Sequence, residues 1–426
     1  MRSHLYYLLY AACSLSRQVY AAPGPDCSTR IDRGNIVSCV QAGSLAVRIE
    51  QSQTDALRGR QQSSASWLPS NPVVALSGAR RTQGTQGPEA LNWSVSLAQE
   101  LEIGGQRQSR VRATDATLRA QIKRQELRAR DAVVEGVSSY FELLASRAQH
   151  ELAVRLHDAG SKVAIAVRAR AEAGIASSLD ADLAEASALR LMQSALASAE
   201  RVSESEAQLD RLLGASSAST PRVINGDLQP LIAGGVFENA PASISPVRAE
   251  LQLVDAEHTA ALSRAEALRR ARLPNPSLSA FVQNDGFNEL VLGMGIAFPL
   301  TLPAPIARSY AGEVAEADAV TQQAKLEREQ AARDIRQRLR AARAAYTAHS
   351  QALATLTPER TRRAEKSLAD LRAEVAAGRI GVRDALAAQQ ALVELLQGAI
   401  EERRALCVAS LELARAMGMP LEGILK

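Results

Sequence analysis

Two parts of this sequence match each other at one constant separation, and this duplication constrains the fold more than any other feature. An Ala-Gly pair, an Asp-Ala pair and a single glycine each recur 204 positions later without a gap (378 − 174, 384 − 180 and 418 − 214). The matched positions are Ala173-Gly174 with Ala377-Gly378, Asp180-Ala181 with Asp384-Ala385, and Gly214 with Gly418. Because recurrence at a fixed spacing indicates two copies of one structural unit, we expect two similar halves.

A proline cluster precedes a strand pattern in each repeat, at Leu68–Pro72 and at Leu273–Pro276. Proline cannot donate a hydrogen bond within a helix and favours extended geometry in the residue before it. Each cluster should therefore end a helix and begin a strand. Strand-like runs follow on both sides of a glycine-containing turn, so we expect one β-hairpin per repeat, at about 73–99 and about 277–298.

Beyond each hairpin the apolar spacing changes to that of a coiled-coil helix. No proline occurs between about 107 and 172, and Val137, Phe141 and Leu144 fall on one helical stripe. The expected long and return helices are at about 107–172, 178–213, 308–376 and 382–417, with an irregularity at Thr357-Pro358. A further helix should lead into each hairpin, at 34–66 and at 245–272.

These patterns divide the chain into a first repeat at 23–214, an irregular linker at 215–243 and a second repeat at 244–426. Residues 1–22 have the weakly basic start, short apolar core and small terminal residues of a secretory signal peptide. A lipoprotein cleaved before Cys13 is a competing interpretation, although Tyr10 stands where a smaller residue is expected.

Three cysteines follow the predicted cleavage site. In an oxidising compartment Cys27 and Cys39 could close a small loop, whereas Cys407 falls in a helical pattern as a lone packed thiol. Neither arrangement indicates catalytic chemistry.

Composition and motifs argue against several classes of function. The net charge of +4 comes from basic residues interleaved with acidic ones, so we do not expect a nucleic-acid partner. The five histidines show no metal-ligand spacing, and the sequence has no nucleophile elbow or phosphate-binding loop. We therefore expect neither an enzyme nor a cofactor or metal site.

Four strands of nine or ten residues are long enough to cross a tilted bilayer, but single-chain outer-membrane barrels begin at about eight strands. If the strands span a membrane, the chain must oligomerise. Three protomers would supply twelve strands.

With its duplicated proline entries, hairpins and Ala-Gly-x5-Asp-Ala turns, nearly the whole mature chain resembles the TolC family of outer-membrane efflux ducts. The resemblance implies a mainly α fold with a small β part: long antiparallel coiled-coil helices and four strands that contribute to a trimeric 12-stranded β-barrel. It also implies a homotrimer in contact with outer-membrane lipid, with a helical barrel in the periplasm. A periplasmic adaptor (membrane fusion) protein would join this barrel to an inner-membrane pump.

The segments Gln99–Arg107 and Phe298–Pro303, the second followed by Arg308, look most like the CzcC-type branch of that family. That branch serves heavy-metal efflux by resistance-nodulation-division (RND) pumps, so the resemblance favours metal cations as substrates. The alternatives are a drug or type I secretion duct of the same family, and a coiled-coil scaffold without a pore.

The turns between outgoing and return helices are the candidate functional sites. We define the first tip as Ala173, Gly174, Ile175 and Ala176, and the second tip as Ala377, Gly378, Arg379 and Ile380. By resemblance the adaptor docks on both tips, although each glycine also simply permits a turn.

The resemblance also predicts a gate in the second repeat. Asp384 matches an aspartate that rings the periplasmic aperture in the family, with Arg379 and Arg383 nearby. Three such carboxylates would favour cations. Ala387 replaces a second aspartate of the family type member, so the ring should be less acidic.

Two aromatic residues lie in the predicted strands. Trp93 and Phe281 could anchor the sheet at a membrane interface or fill space between strands, and the sequence leaves both interpretations open.

Overall fold

The computed structural model describes residue 27 and residues 29–82, 89–214, 222–232, 248–284, 289–300 and 310–421. The predicted signal peptide at 1–22, with Cys13, lies outside these ranges, as do parts of the 215–243 linker and the first residues of the helix predicted at 308–376. The described chain is mainly helical with a small β part, which confirms the predicted fold class.

The described elements are eight helices and six strands. The helices are α1 Ile36–Gly43, α2 Leu45–Ser64, α3 Gln106–Glu172, α4 Ser178–Leu212, α5 Ala249–Ala271, α6 Ala311–Thr355, α7 Pro358–Ala376 and α8 Val382–Met417. The strands are β1 Arg30–Ile31, β2 Val73–Thr82, β3 Glu89–Glu100, β4 Val223–Ile224, β5 Ser277–Asn284 and β6 Leu290–Ala297.

Two helices predicted as single segments, the second with an irregularity, are each divided in the structure. The helix expected at 34–66 breaks at Ser44, whose backbone is extended (φ −61°, ψ 115°). The helix expected at 308–376 ends at Thr355 and restarts at Pro358, where the Thr357 hydroxyl accepts a hydrogen bond from the Arg360 amide at 3.3 Å. Proline is favoured in a first helical turn and disfavoured within a helix, so the predicted irregularity becomes a complete break.

The central helix is α3, which runs without interruption for 67 residues and packs against α2, α4, α5, α7 and α8. At about 1.5 Å per residue its length is on the order of 100 Å. None of the helices in the described ranges carries an apolar stretch of the length and purity that crossing a lipid bilayer requires.

The four long strands form one antiparallel sheet in the order β2-β3-β5-β6. The hairpins of the two repeats therefore lie side by side, joined through β3 and β5. A separate parallel pair joins β1 to β4. The sequence did not predict this pair, because a strand of two residues is too short to show a period.

Several hydrogen bonds fasten the described part of the linker to the helices. The Tyr140 hydroxyl donates to the Asn225 carbonyl at 2.7 Å, and the Tyr346 hydroxyl donates to the Ile232 carbonyl at 3.1 Å. The Leu231 amide donates to the Ser410 hydroxyl at 2.9 Å. Beneath them, Tyr140 and Phe141 are fully buried in the largest apolar cluster, and burial raises the pKa of Tyr140 to about 12.

The three cysteines after the predicted cleavage site all belong to this cluster or pack on it. Cys27 and Cys39 form a disulfide, with their Cα atoms 5.5 Å apart. Cys407 is a free thiol with no solvent exposure, and burial raises its pKa to about 12.

We expect Cys407 to resist alkylation in the folded protein. With a pKa of about 12, only about one thiol in 10,000 is a thiolate at pH 8, and burial also blocks the reagent. Mass spectrometry after iodoacetamide treatment at pH 8 should find Cys407 unmodified in the folded protein and modified in urea. Rapid labelling of the folded protein would contradict its burial.

Candidate functional site

The strand register gives the four-stranded sheet two chemically different faces. Successive side chains of a strand point to opposite faces, and paired residues share a face. Val95 pairs with Leu76 and with Val282, while its neighbour Ser94 pairs with Ser77 and with Gln283. One face is therefore apolar and the other largely polar or small.

We call the first of these the apolar face. Its apolar members are Val74, Leu76, Leu91, Trp93, Val95, Leu97, Leu278, Ala280, Val282, Leu290, Leu292, Met294 and Ile296. The same register also places Gly78, Arg80, Gln99 and Asn284 on this face. Several are well exposed, including Leu76 at 75%, Leu292 at 72% and Met294 at 76%. A single chain thus presents a broad apolar surface without a cover, which marks an interaction or membrane surface.

The opposite face carries mainly hydroxyl, amide and small side chains, together with Val73, Phe281 and Val291. Its members include Ala75, Ser77, Asn92, Ser94, Ser96, Ala98, Ser277, Ser279, Gln283, Gly293 and Gly295. The hydroxyls of Ser77 and Ser94 share a hydrogen bond of 2.8 Å across the strands.

The two strand aromatics separate between these faces. Trp93 belongs to the apolar face, while Phe281 is on the opposite face. A Cβ atom placed on Gly293 would lie 2.2 Å from Cζ of Phe281, so the ring covers the backbone of that glycine. Phe281 fills space between strands, and only Trp93 keeps a position suited to an apolar anchor.

At the other end of the long helices, the two tips have the same backbone structure. Gly174 and Gly378 are left-handed, with φ of 72° and 71°. The Ile175 amide donates to the Arg170 carbonyl at 2.8 Å, and the Arg379 amide donates to the Glu374 carbonyl at 3.0 Å. Both bonds belong to a glycine-dependent helix ending, and each partner is 204 residues from its counterpart.

The surroundings of the two tip glycines differ because Arg170 crosses from the first repeat to the second. Its Nη1 donates to the Val375 carbonyl at the end of α7. A Cβ atom on Gly378 would lie 3.2 Å from Arg170 Nη2, whereas a Cβ atom on Gly174 would meet nothing within 4 Å. Arg170 thereby satisfies a helix-terminal carbonyl and covers the second tip.

The three predicted gate residues lie at this end of the molecule but do not form one ion-paired cluster. Arg379 pairs with Glu374 at 3.0 Å, and Arg383 reaches Asp180 of the first repeat at 4.0 Å. Among the described residues the exposed Asp384 carboxylate has no basic partner. Asp180 and Asp384 occupy the same position in the first turns of α4 and α8, but only Asp180 is paired.

Most residues of the two tips are exposed, as a docking surface requires. Ile175 is 68% exposed, and Arg379 occupies the equivalent position in the second repeat. Ala176 and Ile380 are half-buried, and Ile380 packs against the apolar cluster between the tips. The first tip is thus apolar at a position where the second is cationic.

Two features near the predicted sites escaped the sequence analysis. Arg170 gave no indication of its role, because it acts on a carbonyl 205 residues away in the chain. Arg107 stacks on Trp67, with its guanidinium carbon 4.4 Å from the ring centroid. Neither contact follows a local spacing. No group of metal-ligating side chains occurs within the described ranges.

Residues 45–215, which span most of the first repeat, match the family model described as outer membrane efflux protein. No curated protein matches the chain by sequence. The comparison with solved structures finds similar folds over nearly the full length of both chains.

Three of these structures illustrate the likeness. CusC is 16% identical with a TM-score of 0.73, covering 95% of this chain and 96% of that one. The Campylobacter jejuni CmeC outer membrane channel is 13% identical with a TM-score of 0.76, covering 91% and 85%. The Vibrio cholerae outer membrane protein VceC is 15% identical with a TM-score of 0.72, covering 91% and 96%. By sequence, the first repeat carries the pattern of the outer membrane efflux protein family, and by fold the whole chain is similar to outer-membrane channels.

Proposed function

We propose that the protein is the outer-membrane exit duct of a tripartite efflux system. The apolar face of the sheet is the observation that carries this proposal. In lipid, backbone groups must be satisfied within the protein, so strands can span a membrane only as a closed sheet. A sheet with one apolar and one polar face has the alternation that such a wall requires, with the apolar face toward lipid.

Closure of this sheet requires further copies of the chain. In the described sheet β2 and β6 are the two edges, each with one side of its backbone unpaired. Pairing β6 of one protomer with β2 of the next would continue the sheet. Three copies of the four strands would close a 12-stranded barrel, in line with the TolC-like fold.

The helical tips suit contact with a periplasmic adaptor and, through it, an inner-membrane RND-type pump. α3 begins next to the sheet and ends at the first tip, so its length puts the sheet and the tips on the order of 100 Å apart. Each presents an exposed turn with a fixed backbone conformation. Exposed turns on a rigid scaffold are common recognition sites.

Heavy-metal cations are the proposed substrates, on the basis of the CzcC-type segments at the strand-helix junctions. Asp384 supports a passage that favours cations, because its carboxylate is exposed and no described basic side chain neutralises it. Three such carboxylates around an aperture would attract cations and repel anions. Arg379 and Arg383 are paired with Glu374 and Asp180, so their positive charges would oppose this cation preference less than unpaired arginines would.

Recordings in planar lipid bilayers test both the duct and the gate. The purified protein should insert as a trimer with discrete, cation-preferring conductance. Asp384→Asn should weaken the cation preference, and Asp180→Asn should weaken it too, because it leaves the Arg383 guanidinium without its carboxylate partner. The control is the double change Asp180→Asn with Arg383→Gln, which removes one charge of each sign and should alter the preference least. Selectivity is read from the reversal potential in a salt gradient.

The outcomes separate the two parts of the proposal. Recovery of the protein as a salt-soluble monomer without channel activity would overturn the duct. Normal channels with unchanged selectivity in Asp384→Asn would leave the duct standing and remove the gate role of Asp384.

A further inference from the structure

A group of exposed apolar side chains lies where the strands join the helices. β2 and β5 begin, and β3 and β6 end, at the same edge of the sheet. The residues next to this edge on the helical side are strongly exposed: Trp67 at 83%, Ile103 at 69%, Phe298 at 61% and Leu300 at 84%. We call these four residues, together with Arg107, the junction collar.

The two sides of the collar are held together by contacts between the repeats. The Leu101 amide donates to the Pro276 carbonyl at 2.9 Å, and the Gln106 side chain donates to the Leu273 carbonyl at 3.2 Å and to Asn275 Oδ1 at 2.9 Å. These bonds fix the segment that carries Ile103 against the residues that lead into β5. This part of the collar is therefore held by contacts between the two repeats.

Arg107 gives the collar an organised positive charge. Its guanidinium lies on the Trp67 ring, and its Nε and Nη2 donate to the carbonyls of Ser66 and Ala65 at 3.2 and 2.9 Å. These two bonds leave further N–H groups of the guanidinium available. No described carboxylate pairs with Arg107, in contrast to Arg110, which pairs with Glu102.

Other cations near the junction also lack acidic partners. Arg112 lies in the second turn of α3 and Arg272 directly follows α5, and both are exposed. Within the described residues neither makes an ion pair. By comparison, Arg270 pairs with Glu266 at 2.9 Å. The junction thus combines exposed tryptophan, phenylalanine and aliphatic side chains with unneutralised arginines.

We propose that the junction collar binds the head groups of anionic phospholipids in the leaflet that borders the apolar face, through their phosphate oxygens. The inference rests on the proposed function, which places the apolar face in a membrane. The collar adjoins the end of that face on the helical side, so the same bilayer would reach it. Tryptophan is favoured at the boundary between acyl chains and head groups, and a guanidinium binds phosphate oxygens through two parallel hydrogen bonds.

Tryptophan fluorescence can test the collar because the chain has two tryptophans, one in each region. Trp93→Phe leaves Trp67 as the reporter of the collar, and Trp67→Phe leaves Trp93 as the reporter of the apolar face. Each variant is reconstituted into vesicles that contain brominated phosphatidylglycerol or brominated phosphatidylcholine. Bromine quenches a tryptophan that it contacts.

We expect lipid bromine to quench both reporters. Trp67 should be quenched more by brominated phosphatidylglycerol than by phosphatidylcholine, because the anionic lipid is enriched beside Arg107. Adding Arg107→Gln to Trp93→Phe should abolish this preference, and Arg107→Lys should retain part of it. The control Arg119→Gln changes an exposed arginine about 18 Å further along α3 and should leave the preference intact.

The outcomes distinguish this inference from the proposed function. An unquenched Trp93 would overturn the membrane position of the apolar face. A quenched Trp93 with an unquenched Trp67 would overturn only the collar, whose occupant would then be another protein surface. Equal quenching of Trp67 by both lipids would overturn head-group recognition. So would an Arg107→Gln variant that unfolds at a lower temperature but keeps its lipid preference, because Arg107 would then serve stability alone.

Discussion

Arginine in place of Val95 should prevent assembly in the membrane, whereas arginine in place of the adjacent Ser94 should be tolerated. Val95 lies on the apolar face between Leu76 and Val282, and Ser94 lies on the opposite face between Ser77 and Gln283. An arginine facing lipid costs about 2–4 kcal/mol near the bilayer midplane, and a trimer would carry this penalty three times. An arginine in a water-filled lumen stays hydrated.

The pair of variants is a matched test, because the two positions are neighbours in one strand and receive the same side chain. The yield of folded trimer in the outer-membrane fraction measures assembly, and refolding from urea into lipid vesicles measures the energetic difference. Equal yields for Val95→Arg and Ser94→Arg would show that the apolar face does not meet lipid. Loss of both would point to damage to the strand itself.

The sequence predicted the repeat, the hairpins and the helical periods because each leaves a local mark. The clusters at Leu68–Pro72 and Leu273–Pro276 end directly before β2 and β5. The glycines at 174 and 378 are both left-handed, as a helix ending with this sequence favours. The alternation in β3 also placed Trp93 with Val95 and Leu97, although only the register showed that all four strands share one apolar face.

Other features depend on residues far apart in the chain, and no local pattern contains them. The break at Ser44 occurs where Gly43 approaches the Leu213 carbonyl so closely that a Cβ atom on Gly43 would lie 2.1 Å from its oxygen. The pairing of β1 with β4 joins Arg30 to Val223, which lies 193 positions later in the chain. Such contacts follow from how the helices pack.

The two tips differ in charge at equivalent positions of the repeat. Equivalent positions before the two tip glycines hold Arg170 and Glu374, so the same backbone turn carries opposite charges. Arg170 turns toward α7 and covers Gly378, while Glu374 pairs with Arg379 on its own tip. The second tip is therefore more constrained than the first, and a change there should have the larger consequence.

Valine in place of Gly378 should abolish efflux while leaving trimers in the membrane. A β-branched residue at φ of 71° costs about 1–2 kcal/mol, and its Cβ would lie 3.2 Å from the Arg170 guanidinium. The turn and the Arg170 contact should both be displaced. Gly174→Val should impair efflux less, because the space around Gly174 is open. Gly312→Val, at an open position near the start of α6, is the control and should export normally.

Asparagine at position 378 separates the two possible roles of this glycine. Asparagine tolerates the left-handed conformation, so Gly378→Asn should keep the turn while adding a side chain to its exposed surface. If the adaptor docks on the second tip, Gly378→Asn and Gly378→Val should both lose resistance to metal salts in cells that supply the native adaptor and pump. If the glycine serves only the turn, the Gly378→Asn variant should keep its resistance and the Gly378→Val variant should lose it. The trimer level of each variant is measured in the membrane fraction and should be normal. A reduced trimer level would show that the variant fails to fold or assemble, and its loss of resistance would then say nothing about docking.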